Sequence, residues 1–174
     1  MLRILHQIWR TGVVTEPLPP LEEGRVTLAG ERLEEEILKR FRGSLTIRFV
    51  DAGSCNACEL EITAVNNPFY DCERFGIHFT ASPRFADMLL VTGPVARNME
   101  VALRRTYDAM PGPKLVVAVG DCAYDCGVFG ESYATVKSVS DVVPVSAFIH
   151  GCPPPPAAIL GGIMAAIGKD GAGR

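Results

Sequence analysis

The chain has 174 residues, of which 48% are apolar and 21% charged, proportions that suit one globular domain and exclude a disordered or collagen-like polymer. Seventeen Lys and Arg stand against twenty Asp and Glu, a net charge of −3, which lacks the basic excess that nucleic acid attracts. The longest uncharged apolar stretch, Gly151 to Gly168, opens on prolines, so only its part from Pro156 could be helical, too short to span a bilayer.

Residues 1 to 15 place Leu2, Leu5, Ile8 and Trp9 at helical intervals, which predicts a short amphipathic helix, packing on its own core or docking on a membrane subunit. Arg3, His6 and Arg10 interrupt its apolar residues, unlike a signal peptide, and point to a reducing compartment. Pro17, Pro19 and Pro20 break the pattern, and a charged connector from Glu16 to Arg42 follows, with one helix over Glu31 to Phe41 whose Glu34-Glu35-Glu36 run reads as a solvated face.

Leu45 to Asp51 predicts the first strand, and a helix from Asn56 to Asn66 follows. Asp87 to Thr92 predicts a second strand, Ala96 to Met110 a helix in which Met99 and Met110 are packing residues, and Leu115 to Val119 a third strand apolar enough to be buried on both faces. Asp141 to Val145 is expected to form a fourth strand and Pro156 to Ile167 the terminal helix. Gly161-Gly162 costs that helix about 1 kcal/mol per glycine relative to alanine; close approach of another backbone would compensate. Alternating strands and helices predict an open parallel α/β sheet with right-handed crossovers.

The six cysteines are Cys55, Cys58, Cys72, Cys122, Cys126 and Cys152. In a reducing compartment they suit metal or redox chemistry better than three disulfides. Cys55-Asn56-Ala57-Cys58 has the spacing of a thioredoxin-type dithiol, a weak signal by itself. Structural zinc usually takes ligands in nearby pairs, whereas 63 residues separate Cys58 from Cys122 and 29 separate Cys122 from Cys152. An iron–sulfur cluster accepts thiolates from scattered loops, and the neighbouring glycines let backbone N–H groups approach sulfur. Zinc and iron–sulfur both stay open on spacing. Cys55, Cys122 and Cys152 each follow an expected strand, and in an open parallel sheet the carboxyl ends of the strands line the ligand crevice. The topology therefore predicts that Cys55, Cys58, Cys122 and Cys152 converge.

Gly53-Ser54-Cys55-Asn56-Ala57-Cys58-Glu59-Leu60-Glu61, Glu73-Arg74-Phe75-Gly76, Ala81-Ser82-Pro83-Arg84, Gly120-Asp121-Cys122-Ala123 and Gly151-Cys152-Pro153-Pro154 form an ordered series. It resembles the family of the 20 kDa subunit of respiratory complex I and of nickel–iron hydrogenase small subunits. The likeness extends to the small subunits of membrane-bound energy-converting hydrogenases of formate hydrogenlyase and CO-induced type, and covers roughly Leu45 to Lys169.

The resemblance implies a flavodoxin-like open parallel sheet with helices on both faces over 45–174. An N-terminal amphipathic helix and connector over 1–44 would dock partners. It implies one 4Fe-4S cluster on Cys55, Cys58, Cys122 and Cys152, and an electron-transfer role beside a catalytic large subunit, with a ferredoxin-like iron–sulfur subunit and an integral membrane subunit as further partners. The chain would then be a subunit of an oxidoreductase, not catalytic alone, held peripherally on the cytoplasmic side of the membrane. Complex I proper has adjacent cysteines where this chain has Cys55-x-x-Cys58, which favours the hydrogenase branch over a quinone-proximal subunit of a complex I-like enzyme. Cys126 stands where the family usually has glycine and Cys72 where no ligand is expected; each reads as a buried thiol, with an alternative cluster ligand as the other reading. Glu59 and Glu61 are either helix N-terminal charges or candidate proton-transfer carboxylates. Arg74 and Arg84 resemble interface positions, with ordinary surface pairing an equal account. His78 and His150 lack a second ligand at useful spacing, although His150 is close to Cys152 in sequence. No phosphate loop or dinucleotide fingerprint is present, so NADH binding by this chain is not expected.

Overall fold

The computed structural model describes residues 2, 6, 9, 10, 23–41 and 43–170. Leu2, His6, Trp9 and Arg10 are helical and exposed, and the rest of the expected N-terminal helix lies outside the described residues. The elements then run α1 (Glu23–Phe41), β1 (Leu45–Asp51), α2 (Ala57–Ala64), β2 (Ile77–Phe79), β3 (Met88–Thr92), α3 (Arg97–Ala109), β4 (Leu115–Val119), α4 (Asp121–Asp125), β5 (Ala147–Ile149) and α5 (Pro156–Asp170).

All five strands are parallel, in the order β2-β1-β3-β4-β5. This is the doubly wound order of flavodoxin-like folds, with the switch point between β1 and β3. β3 and β4 read Met-Leu-Leu-Val-Thr and Leu-Val-Val-Ala-Val with every residue buried, as central strands covered on both faces must be. One face packs Leu45, Ile47, Met88, Leu90, Val117 and Ile149 beneath Leu33 and Ile37 of α1, Ile62 of α2 and Ile159 and Ile163 of α5. The other packs Leu89, Val91, Val116 and Ala118 against Leu103 of α3 and the segment carrying Val139 and Val143. Met99 and Met110 belong to this second core, as expected.

Four features differ from expectation. The helix of the connector begins at Glu23, ahead of the expected Glu31. The fourth strand anticipated at Asp141 to Val145 is not a strand. Ser138 caps a short turn over Val139–Asp141, taking N–H of Ser140 on its hydroxyl while Asp141 accepts the Ser138 N–H, and Val143 buries itself in the second core. The chain reaches the sheet only at Ala147, opposite Val117. The short edge strand β2, paired to Leu45–Ile47, was not anticipated. A Cβ on Gly162 would lie 2.4 Å from the Ile149 side chain, so the close approach in α5 is to a side chain of β5 and not to another backbone, and Gly161 faces open space.

Candidate functional site

The site is built where β1, β4 and β5 end. Past β1, Asp51 Oδ1 accepts the N–H groups of Gly53 (2.8 Å) and Ser54 (3.0 Å), turning the chain sharply, and Ser54 Oγ accepts the N–H of Asn56 at 3.1 Å. Asn56 takes a left-handed conformation (φ 72°), which asparagine tolerates better than most residues, and α2 starts on the next residue. The turn leaves Cys55 exposed in the loop and Cys58 buried in the first turn of the helix.

The loops after β4 and β5 are tied to each other. Gly120 N–H donates to Ile149 carbonyl at 2.8 Å and Asp121 N–H to Gly151 carbonyl at 3.0 Å. In return Asp121 Oδ1 accepts Gly151 N–H at 3.0 Å and lies 3.3 Å from His150 Nδ1. Asp121 thereby fixes Cys122 and Cys152, one residue beyond each end of this bracket, relative to each other. Gly120 sits at φ 88°, ψ 155°, a region that glycine alone occupies readily, and a Cβ there would stand 2.6 Å from Cys58 Sγ. The backbone thus passes directly against a sulfur contributed by the helix that follows a different strand.

Electrostatics reports the same convergence. The Cys58 thiol is pushed up to about 12, first by burial, then by the negative charges of Glu59, Cys122, Cys55 and Cys152. Cys122 is also raised, by burial first, with Cys152 and Cys55 contributing. Raised in this way, the thiols stay protonated at neutral pH unless a cationic centre holds them as thiolates. Among the described residues, no three His, Cys, Asp or Glu side chains converge on a point that would hold a single metal ion. A donor set of four cysteines suits iron–sulfur ligation and structural zinc alike.

The remaining candidates separate clearly. Cys72 is fully buried and its thiol donates to Asn66 Oδ1 at 2.6 Å. Cys126 is fully buried in a left-handed conformation (φ 71°), and its thiol donates to the Lys137 carbonyl at 2.9 Å. Each thiol is committed to an oxygen of the protein. Glu59 is 8% exposed; Thr92 Oγ1 at the end of β3 donates to its Oε1, while its Oε2 is buried with no partner among the described residues. Glu61 is only partly buried. His150 is exposed and stacks edge-on against Tyr124 besides meeting Asp121. His78 and Arg84 are exposed, and Arg74 lies over the Phe75 ring and 3.9 Å from Asp71. Sequence reasoning missed the bracket role of Asp121 and the burial of Glu59 against Thr92, contacts between residues 30 and 33 positions apart that no local pattern announces.

Residues 55–166 match the family model described as NADH ubiquinone oxidoreductase, 20 Kd subunit. The chain belongs to this family. A probable membrane-bound hydrogenase subunit, mbhJ of Pyrococcus furiosus, is 44% identical over 142 residues, covering 80% of this chain and 85% of that protein. Formate hydrogenlyase subunit 7 of Escherichia coli is 41% identical over 136 residues, 78% of this chain and 53% of that one. Among solved structures, a chain of the membrane-bound sulfane sulfur reductase, an archaeal respiratory membrane complex, matches with a TM-score of 0.66 at 33% identity, over 79% of this chain and 78% of that chain. An NAD+-reducing NiFe-hydrogenase chain matches with a TM-score of 0.56 at 17% identity, over 70% and 92%, a likeness of fold alone. Within this family the chain is a subunit of an oxidoreductase complex of hydrogenase or complex I type.

Proposed function

We propose that this chain is the electron-transfer subunit of a membrane-bound nickel–iron hydrogenase complex, holding one 4Fe-4S cluster on Cys55, Cys58, Cys122 and Cys152. The observation that carries the reading is the meeting of three loops, after β1, β4 and β5, at one sheet edge, with Gly120 of the β4 loop abutting Cys58 Sγ and bonded in turn to the β5 segment. Relatives named as hydrogenase and formate hydrogenlyase subunits support the choice of complex. The cluster would supply one-electron storage and release.

The protein's own part is to position and insulate. Asp121 sets the distance between the Cys122 and Cys152 loops, Gly120 clears room against Cys58, and Asp51 folds the Cys55 turn. Glu59 and Glu61 are the candidate proton-carrying carboxylates; Glu59, shielded beside Cys58 with Oε2 uncommitted, is the better insulated of the two. The partners would be a catalytic large subunit, a ferredoxin-like iron–sulfur subunit and an integral membrane subunit, with this chain peripheral on the cytoplasmic side. Exposed Leu60, Tyr124, Val128, Phe129 and Tyr133, on α2, on α4 and in the segment after it, support burial beneath a partner. No helix among the described residues is long and apolar enough to cross a membrane. Residues 1–44, beginning with exposed Leu2 and Trp9, would add to the docking surface.

The test is anaerobic purification through a tag on this chain. Co-purification of a large subunit bearing two Cys-x-x-Cys pairs, with hydrogen evolution from reduced viologen, is the expected result. Quinone reduction without hydrogen chemistry would replace this reading with that of a quinone-proximal subunit, the reading that the family's description favours.

A further inference from the structure

Cys122 is followed by a turn that doubles back onto its own sulfur. The Cys126 N–H donates to the Cys122 carbonyl at 3.1 Å, which closes α4 after five residues, and Cys126 takes a left-handed conformation (φ 71°). Gly127 follows at φ 45°, and a Cβ there would stand 2.9 Å from Cys122 Sγ and 3.0 Å from Cys122 N. The backbone at Gly127 therefore lies against the sulfur, with no room for a side chain between them. The turn is pinned from two sides. The Cys126 thiol donates to the Lys137 carbonyl at 2.9 Å, and Asp125 Oδ1 accepts the Gly127 N–H at 2.9 Å.

Each backbone N–H of such a turn needs an acceptor. That of Cys126 goes to the Cys122 carbonyl, that of Gly127 to Asp125, that of Phe129 to the Cys126 carbonyl at 3.0 Å and that of Gly130 to the Gly127 carbonyl at 3.3 Å. Within the turn, the Val128 N–H alone has no oxygen acceptor among the described residues. It belongs to the residue just after the one that abuts Sγ, and it donates to the Cys122 sulfur. Burial pushes the Cys122 thiol up, and this N–H pulls the other way, favouring negative charge on the sulfur. The Val128 side chain takes no part in the contact, being 75% exposed.

We propose that the turn from Cys126 to Gly130 sets the reduction potential of the cluster by holding the Val128 N–H against the Cys122 sulfur. The proposal rests on the 4Fe-4S reading given above. Reduction brings in one electron, and part of the added negative charge falls on the ligand sulfurs. A donor already fixed at Cys122 Sγ stabilises that charge, so the potential is higher than it would be without the donor, while the proton stays on the Val128 nitrogen throughout.

The test is a dithionite titration of the anaerobically reconstituted full chain, followed by electron paramagnetic resonance. Val128→Pro removes the N–H at an exposed position and is expected to shift the one-electron equilibrium about tenfold toward the oxidised form, a midpoint about 59 mV lower. Val128→Ala keeps the N–H and is expected to match the parent. Proline also perturbs the angles of the turn, so a second measurement leaves the backbone whole. With valine labelled by nitrogen-15, pulsed resonance on the reduced parent is expected to show a nitrogen-15 coupling that disappears in Val128→Ala carrying the same label. An unchanged midpoint in Val128→Pro, an equal fall in Val128→Ala, or a valine coupling that is absent from the parent or undiminished in Val128→Ala overturns the proposal and leaves the electron-transfer reading standing. A Val128→Pro chain that assembles no cluster leaves the decision to the labelled pair. A parent chain that assembles no cluster overturns both.

Discussion

Gly120→Ala tests how tightly the site is packed. Two costs add at this position. The backbone angles, φ 88° and ψ 155°, lie in a region nearly exclusive to glycine, and forcing another residue there costs roughly 1–3 kcal/mol. The new methyl would also stand 2.6 Å from Cys58 Sγ, well inside contact distance, so either that sulfur or the β4 loop must move. The loop cannot yield freely, because Gly120 N–H and Asp121 N–H are both held by the β5 segment. A penalty of about 2 kcal/mol lowers the melting temperature of a chain this size by about 4–8 °C. The assay is thermal unfolding of the cluster-free chain, paired with iron and sulfide content after anaerobic reconstitution. We expect the lower melting temperature together with a clear loss of bound iron. An alanine variant that melts with the parent and binds as much iron would refute the reasoning, because it would mean that the Cys58 sulfur does not abut this backbone.

The neighbouring glycines of α5 should behave oppositely to each other: Gly161→Ala, facing open space, should stabilise by up to about 1 kcal/mol, whereas Gly162→Ala, 2.4 Å from Ile149, should destabilise in the same melting experiment. Asp121→Ala should weaken cluster retention, seen as faster bleaching of visible absorbance in chelator, and Asp121→Asn should restore much of it, since an amide oxygen can still accept the Gly151 N–H. Alkaline pH should destabilise the cluster-free chain. The Cys58 thiol is raised from 9.0 to about 12 in the folded state, so the unfolded chain loses its proton first and stability falls as pH rises between those values. Denaturant titrations from pH 8 to 11 should show a shallower decline in Cys58→Ser; identical slopes would contradict the burial and thiolate crowding assigned to Cys58.

Much of the architecture was legible because the strong signals were local. The uninterrupted apolar runs Met88–Thr92 and Leu115–Val119 could only be buried strands, and their alternation with helices gave the parallel sheet. β2 and β5 were lost for a common reason: three residues each are too few to show a period, and the valines of 142–145 mimic a strand while packing as a buried turn. The placement of the loops carrying Cys55, Cys122 and Cys152 was legible through topology, since a parallel sheet sends the ends of β1, β4 and β5 to one edge. The contacts that set their spacing were not. Asp121 to Gly151, Gly120 to Cys58 and Glu59 to Thr92 join residues far apart in the chain, and nothing in the local pattern distinguishes them from ordinary loop and helix-start residues.

The most direct measurement is iron and sulfide content with electron paramagnetic resonance on the anaerobically reconstituted full chain and on six single cysteine-to-serine variants. The account predicts about four iron atoms per chain and one cubane signal on reduction. That signal should be lost or altered in Cys55→Ser, Cys58→Ser, Cys122→Ser and Cys152→Ser, and preserved in Cys72→Ser and Cys126→Ser. A chain that takes up no iron, or one whose signal survives Cys122→Ser or Cys152→Ser but vanishes with Cys72→Ser or Cys126→Ser, would contradict it.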